Sequence, residues 1–393
     1  MPAQGDCHEP QPRADGVSDV SDVLVVGAGV IGLGIAWRCA QRGLDVTVVD
    51  PAPGTGASAT AAGMLAPVTE LHYGEQPLLA LNLESARRYP AFTDELAGVT
   101  GLSVGYRRTG TIAVGWDTAD LDALHDLHAF GQTLGVSTEL LTGQDLRRLE
   151  PALAAGLPGG LLAPDDHQVD SRALHAALLT AAEQSGARIV ARRVAELRCV
   201  ADRAVGVGLD GGDVLDASTV VLAAGAWSAR VAGVPDAPIR PVKGQTVHLR
   251  TGGPLLEHVV RGEVKGSSVY LVPRGDGRIV LGASSEEAGF DLRPRAGAVY
   301  ELLRDAQSLV PVLGEAELVE VSTGLRPATP DNAPLIGPSS LSGLILATGH
   351  YRNGVLLTPV TADGIADLIT GGSVPDALAP FTPARFHASE VGA

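Results

Sequence analysis

Cysteine is scarce: Cys7, Cys39 and Cys199 are three in 393 residues, widely spaced and without a CxxC, so neither a disulfide framework nor a cysteine zinc site is expected. No metal is expected, and a reducing cytoplasm is the expected compartment. Aromatic side chains make up 4% of the chain, too few for platforms that stack nucleic-acid bases. Basic residues number 29 against 45 acidic ones, and the formal net charge of −16 speaks against nucleic acid or an anionic membrane as a partner. Long apolar runs are also missing; Val220–Ala224 is among the longest and falls far short of a bilayer span. Residues 1–21 carry no apolar segment, so no secretory signal is expected and they read as a disordered tail.

Glycine, by contrast, is abundant and placed with a pattern. DVLVVGAGVIGLGIAWRCAQRGLDVTVVD reads strand, glycine loop, helix, strand, acid. In a dinucleotide cradle Gly27 supplies a tight turn, Gly29 close backbone approach to a pyrophosphate, and Gly32 contact between helix and strand. The following helix aims its first N–H groups at the phosphates. Asp50 ends the second strand, near the roughly 20-residue offset at which a carboxylate meets the ribose hydroxyls. The motif alone does not choose between NAD and FAD.

Beyond Asp50, Pro51–Pro67 is rich in small residues, as a backbone segment pressed against a flat ligand would be. Helical spacing follows over Pro77–Leu96 and Leu121–Leu134, with strands around Gly110 in Tyr106–Val114. A second βα-like block has a helix over Asp170–Ser185, strands over Arg188–Val200 and Ala204–Leu209, and a buried strand, Val220–Ala224, ending in Gly225. From Pro241 the pattern alternates over Gln245–Leu249, Ser268–Val272 and Arg278–Leu281, with Gly275–Gly277 as a hairpin turn. This antiparallel sheet interrupts the nucleotide domain. A short strand at Leu344–Ala347 and a helix beginning near Gly354 complete the chain's pattern.

These pieces resemble the flavoenzyme family of D-amino-acid oxidase, sarcosine oxidase and glycine oxidase, and within it the ThiO type. The resemblance rests on AAGMLAP at Ala61–Pro67, VKGQ at Val242–Gln245, YLVPR at Tyr270–Arg274, GASSEEAGFD at Gly282–Asp291, GLRPATPDNAPLIG at Gly324–Gly337 and GHYRNGVLLTP at Gly349–Pro359. It implies an α/β plus antiparallel β fold: a discontinuous Rossmann-like FAD-binding domain (22–95, 160–235, 322–376) and a mixed or antiparallel-sheet substrate domain (96–159, 236–321). Residues 377–393 would be a C-terminal tail. FAD follows, since one cradle leaves no separate NAD(P)H site, and oxygen becomes the electron acceptor. Ser58, Ala61, Ala62, Gly63, Met64, Val194, Gly225, Gly354, Val355 and Leu356 would join Gly27, Gly29, Gly32 and Asp50 around the cofactor, which no cysteine near Thr348–Leu357 would link covalently.

For the substrate, the resemblance implicates Tyr270, Arg326 and Arg352. A planar guanidinium forks onto a carboxylate, so Arg326 is the expected anchor and Tyr270 adds a hydroxyl. Arg352 is either a second carboxylate contact or a lock between its loop and an acid such as Asp331. His350 reads as structural. Ser268 and Ser285 replace bulkier residues of some relatives, which leaves the pocket size open. The implied reaction is oxidation of glycine to glyoxylate, ammonia and hydrogen peroxide through an imine passed to thiazole synthesis. Its rivals are oxidation of sarcosine or small D-amino acids, oxidation of a carboxymethyl group on a modified tRNA base, and a non-catalytic flavin subunit. The oligomeric state stays open.

Overall fold

The structure is a computed structural model that describes residues 20–235 and 237–386. Residues 1–19 of the expected tail, with Cys7, lie outside it, while Val20 and Ser21 already begin the first strand, Val20–Val26.

Two eight-stranded sheets carry the molecule. In the first, strands Leu344–Thr348, Val214–Leu222, Val20–Val26, Val46–Val49 and Arg188–Val190 lie side by side and parallel. Val46–Val49 is buried throughout, as a strand covered on both faces should be, which is why it reads as an unbroken apolar run. Helices Val30–Gln41, Ser171–Gln184, Gln76–Thr100 and Thr358–Gly371 cover one face through a core that includes Trp37, Phe92, Leu178 and Ile365. No described helix is long and apolar enough to cross a membrane.

The second sheet is ordered Glu317–Ala328, Arg240–Arg250, Arg278–Gly282, Ser267–Pro273, Val259–Val264, Thr111–Gly115, Gly159–Ala163, Glu139–Thr142. All its pairings are antiparallel except that of Val259–Val264 with Thr111–Gly115, so two distant stretches of chain close one sheet. Sheet pairing moves two expected boundaries. Gly159–Ala163 and the whole of Glu317–Ala328 belong here, although 160 and 322 were placed as returns to the cofactor domain. Both segments leave the sheet only after completing their cross-strand ladders.

Other local expectations shift as well. Of Tyr106–Val114, only residues from Thr111 onward are in a strand; Gly110, at φ +79°, turns the chain into it. The final helix starts at Thr358, with Pro359 in its first turn, and Gly354–Leu357 form the turn leading into it. The strand expected over Arg188–Val200 is broken at 191–193 into two. Residues 377–386 are not a tail: Leu378 and Phe381 are buried against the cofactor domain in short 3-10 turns. Residues 387–393 lie outside the described residues.

Candidate active site

A cavity of about 840 Å³ runs between the two sheets, within the size range of small-molecule and cofactor sites. Of the residues expected around the cofactor, together with Tyr270, Arg326 and Arg352, all line it except Gly32 and Ala62. Gly32 acts from behind: a Cβ there would stand 1.9 Å from the Gly27 carbonyl oxygen. Gly27 itself has φ +108°, and a Cβ would meet the Ala223 carbonyl at 2.4 Å. At Gly29 the added atom would face only the Ser58 hydroxyl, at 3.2 Å, so this backbone is open to the cavity. The helix Val30–Gln41 presents no acid in its first turn, and Ser58 Oγ accepts from Val30 N at 3.1 Å. Asp50 Oδ2 accepts from Ala28 N at 2.8 Å, which ties the acid to the loop, and both Asp50 and Val194 line the cavity.

The strap Ala61–Met64 is held by its carbonyls. Ser171 Oγ donates to Ala61 O at 2.5 Å, buried Arg274 donates to Ala62 O at 2.7 Å, and Val169 N donates to Gly63 O at 2.8 Å. Ala62 thus faces a small apolar cluster with Val259 and Val272 rather than the cavity. Gly63 has φ +82° and no room for a Cβ beside the Val169 carbonyl. Across the cavity, the carbonyls of Val355 and Leu356 are turned away to the Tyr89 and Ser85 hydroxyls, both at 2.6 Å, while Gly354, Val355 and Leu356 line the wall.

At the substrate end, Tyr270 and Arg326 reach over two glycines. A Cβ on Gly282, opposite Tyr270 in the sheet, would lie 2.5 Å from the phenol oxygen. One on Gly244 would lie 2.5 Å from Arg326 Nη1. The glycines of VKGQ and GASSEE are therefore windows through which the two side chains lie flat across neighbouring strands. Their role went unread in the sequence, although an isolated glycine in a strand does signal close approach. Arg326 Nη1 donates to Ser284 O at 3.0 Å, and the half-buried guanidinium has no carboxylate partner among the described residues. Burial raises the Tyr270 phenol pKa, opposed by the Arg326 charge and a hydrogen bond with it.

Arg352 is exposed at the mouth, 3.8 Å from Glu70 and 2.7 Å from His72 Nε2. Its acid is Glu70, not Asp331, whose carboxylate is taken by Arg385 at 2.8 Å. Glu70, which the sequence gave no cue to, also lines the cavity and pairs with Arg261 at 3.3 Å. The loop that carries it is fixed by fully buried Asp166, which accepts from Val68 N, Thr69 N and the Thr69 hydroxyl. His350 is buried, 3.1 Å from Thr361 Oγ1, and burial pushes its pKa down to about 3, so it stays neutral. Ser268 and Ser285 are exposed and do not line the cavity, so they do not set its size.

A glycine cradle, a helix N-terminus, a ribose-side acid and a small-residue strap in one cavity, facing a guanidinium and a phenol, define a two-domain flavin-dependent oxidoreductase. Residues 22–368 match the DAO family, described as FAD dependent oxidoreductase. The chain is 37% identical over 378 residues to a glycine oxidase of Geobacillus kaustophilus, covering 94% of this chain and 98% of that protein. The crystal structure of glycine oxidase from Geobacillus kaustophilus superposes with a TM-score of 0.87 at 36% identity, over 93% of this chain and 98% of that one. The bifunctional protein ThiO/ThiG of Synechocystis is 36% identical across 93% of this chain, which spans 54% of its length. The chain belongs to the DAO family of FAD-dependent oxidoreductases, and its cavity residues fit that cofactor: the cradle where a Cβ would intrude, the acid at one end and the strap at the other.

Proposed function

We propose that this protein is a glycine oxidase: glycine, oxygen and water give glyoxylate, ammonia and hydrogen peroxide by way of the imine. The observation that carries the reading is the Arg326 guanidinium, without a carboxylate partner among the described residues, lying over Gly244 beside Tyr270 in the same cavity as the glycine cradle. Arg326 binds the substrate carboxylate with a charge-assisted fork, and the Tyr270 hydroxyl, kept protonated by burial, adds a donor. Gly27, Gly29, Asp50 and Ser58 would hold the ADP half of FAD; the strap Ala61–Met64 and the turn Gly354–Leu356 would flank the ring. The chemistry FAD supplies when bound is acceptance of a hydride from Cα and passage of the electron pair to oxygen. Neutral His350, turned to Thr361, takes no part in proton transfer. Among the described residues no cysteine lines the cavity, which supports a cofactor free of a cysteinyl link.

The fusion of a similar chain to a ThiG partner in Synechocystis supports handover of the imine to thiazole synthesis. The test is peroxide formation from glycine, sarcosine, D-alanine, D-proline and L-alanine at matched concentrations. Glycine should lead, with sarcosine and D-alanine as secondary substrates, because one methyl in a pocket is worth only about 1–3 kcal/mol. A bulky D-amino acid ranking well above glycine would make the protein a D-amino-acid oxidase instead.

A further inference from the structure

Lys243 is fully buried, on the opposite face of its strand from Gly244, and the reaction above gives it no task. A buried ammonium is costly unless paired and hydrogen-bonded. Its Nζ donates to Arg293 O at 2.6 Å and stands 3.5 Å from Glu286 Oε2. The backbones of Lys243 and Glu286 exchange two further hydrogen bonds of 2.9 Å. The other carboxylate oxygen, Glu286 Oε1, accepts from the Ser284 hydroxyl at 2.7 Å and from Gln245 Nε2 at 2.6 Å. Gln245 N donates to Ser284 Oγ at 3.0 Å, and Ser284 N returns a bond of 3.2 Å to Gln245 O. Ser284 is thus gripped at its hydroxyl and its amide, and its carbonyl is the acceptor for Arg326 Nη1. Burial pushes the Glu286 carboxyl up, but the bonds from Ser284 and Gln245 and the Lys243 charge hold it below its ordinary value.

We propose that Glu286, clamped by Lys243 and Gln245, is a positioning residue for the substrate carboxylate: it holds Ser284 so that the Ser284 carbonyl fixes the Arg326 guanidinium over the Gly244 window. The inference rests on Arg326 as the carboxylate anchor. A guanidinium on a long side chain loses rotamer freedom when it grips a ligand, and a guanidinium already fixed at one nitrogen has less to lose. The clamp therefore acts on affinity for carboxylates and leaves the oxidation step nearly untouched.

The experiment uses the flavin-loaded enzyme and acetate, a carboxylate without an amine, titrated by the flavin absorbance change, alongside glycine kinetics. Glu286→Ala should weaken acetate binding and raise KM for glycine about tenfold, with kcat changed less than about threefold and full flavin content. Glu286→Gln, which keeps the shape and loses the charge facing Lys243, should give about a third of that effect and decides the matter if the alanine variant does not retain flavin. In an Arg326→Ala background, Glu286→Gln should shift the acetate Kd by less than about twofold, because the two act through one contact. An unchanged acetate Kd in flavin-replete Glu286→Gln overturns the proposal, as does the same shift with and without Arg326. If Arg326→Ala itself binds acetate normally, the anchor assignment fails, which is a separate result.

Discussion

In the glycine cradle at one end of the cavity the geometry comes from one stretch of chain: Gly27, Gly29 and Gly32 act through backbone, and Asp50, at the end of the same strand, loop, helix and strand, adds its carboxylate. At the end where we propose the carboxylate binds, Arg326, Gly244, Gly282 and Tyr270 come from four strands, paired as Val242 with Arg326, Thr246 with Gly282 and Gly282 with Tyr270. The first site is made by removing side chains so that a ligand can touch the main chain. The second is made by removing two side chains so that two others can lie down. A defect in the first should remove the cofactor and everything with it; a defect in the second should leave a yellow protein that has lost its grip on substrate.

Gly32→Ala should break the comparison most severely. Its Cβ would enter the Gly27 carbonyl at 1.9 Å, and overpacking costs typically about 1–3 kcal/mol and occasionally more, here against backbone that a side chain cannot relieve. Flavin bound per polypeptide, read from absorbance after gel filtration, should fall to near zero; a fully loaded variant would show that the loop can give way. Next comes Arg326→Ala, which should keep its flavin. Loss of a charge-assisted fork is worth roughly 2–4 kcal/mol, so kcat/KM for glycine should drop about 30-fold to 1,000-fold. Arg326→Lys should recover only part of this, since an ammonium lacks the planar fork. Wild-type kinetics in Arg326→Ala would move the anchor elsewhere, with Arg352 the nearest candidate.

A smaller, pH-dependent effect belongs to His350. The folded protein holds it neutral down to about pH 3, whereas the unfolded chain takes up the proton near 6.5. Its contribution is therefore complete above the unfolded value and is lost as pH falls, by roughly 1.4 kcal/mol per pH unit between about pH 6 and pH 4. Urea unfolding of wild type and His350→Gln over that range should show a steeper acid loss in wild type. Parallel curves would contradict a buried neutral imidazole. Smallest of all should be Arg352→Ala: the residue is exposed and its partner Glu70 stands at 3.8 Å, so the change in KM should stay within about fivefold. A loss rivalling that of Arg326→Ala would give Arg352 a direct hold on the carboxylate.

The same contrast explains what could be read in advance. The cradle was legible because its spacing is local: three glycines and an acid at fixed offsets carry the whole geometry. Tyr270, Arg326 and Arg352 came from the resemblance and do line one cavity, but nothing in the spacing of Gly244 and Gly282 tells which distant side chain will cross them. Lys243 and Glu286 are 43 residues apart and meet only because two strands and the loop beyond them converge. Asp166 was invisible for a related reason, since it serves backbone amides that have no sequence signature. The misplaced boundaries at 160 and 322 share that cause: sheet membership is decided by partners elsewhere in the chain, as the parallel pairing of Thr111–Gly115 with Val259–Val264 shows.

The strap after the cradle has one more consequence. Its carbonyls are claimed from both sides, by Ser171 and Val169 of the cofactor domain and by Arg274 of the substrate domain, while Thr246 reaches Thr60 O just before it. A ligand that settles on the strap therefore braces two sheets through one seam. The free energy of cofactor binding is shared by linkage across the whole molecule rather than spent in one half. Removing FAD should loosen both domains together, and the loaded enzyme should melt as a single cooperative unit even though its two halves are sewn from alternating pieces of chain.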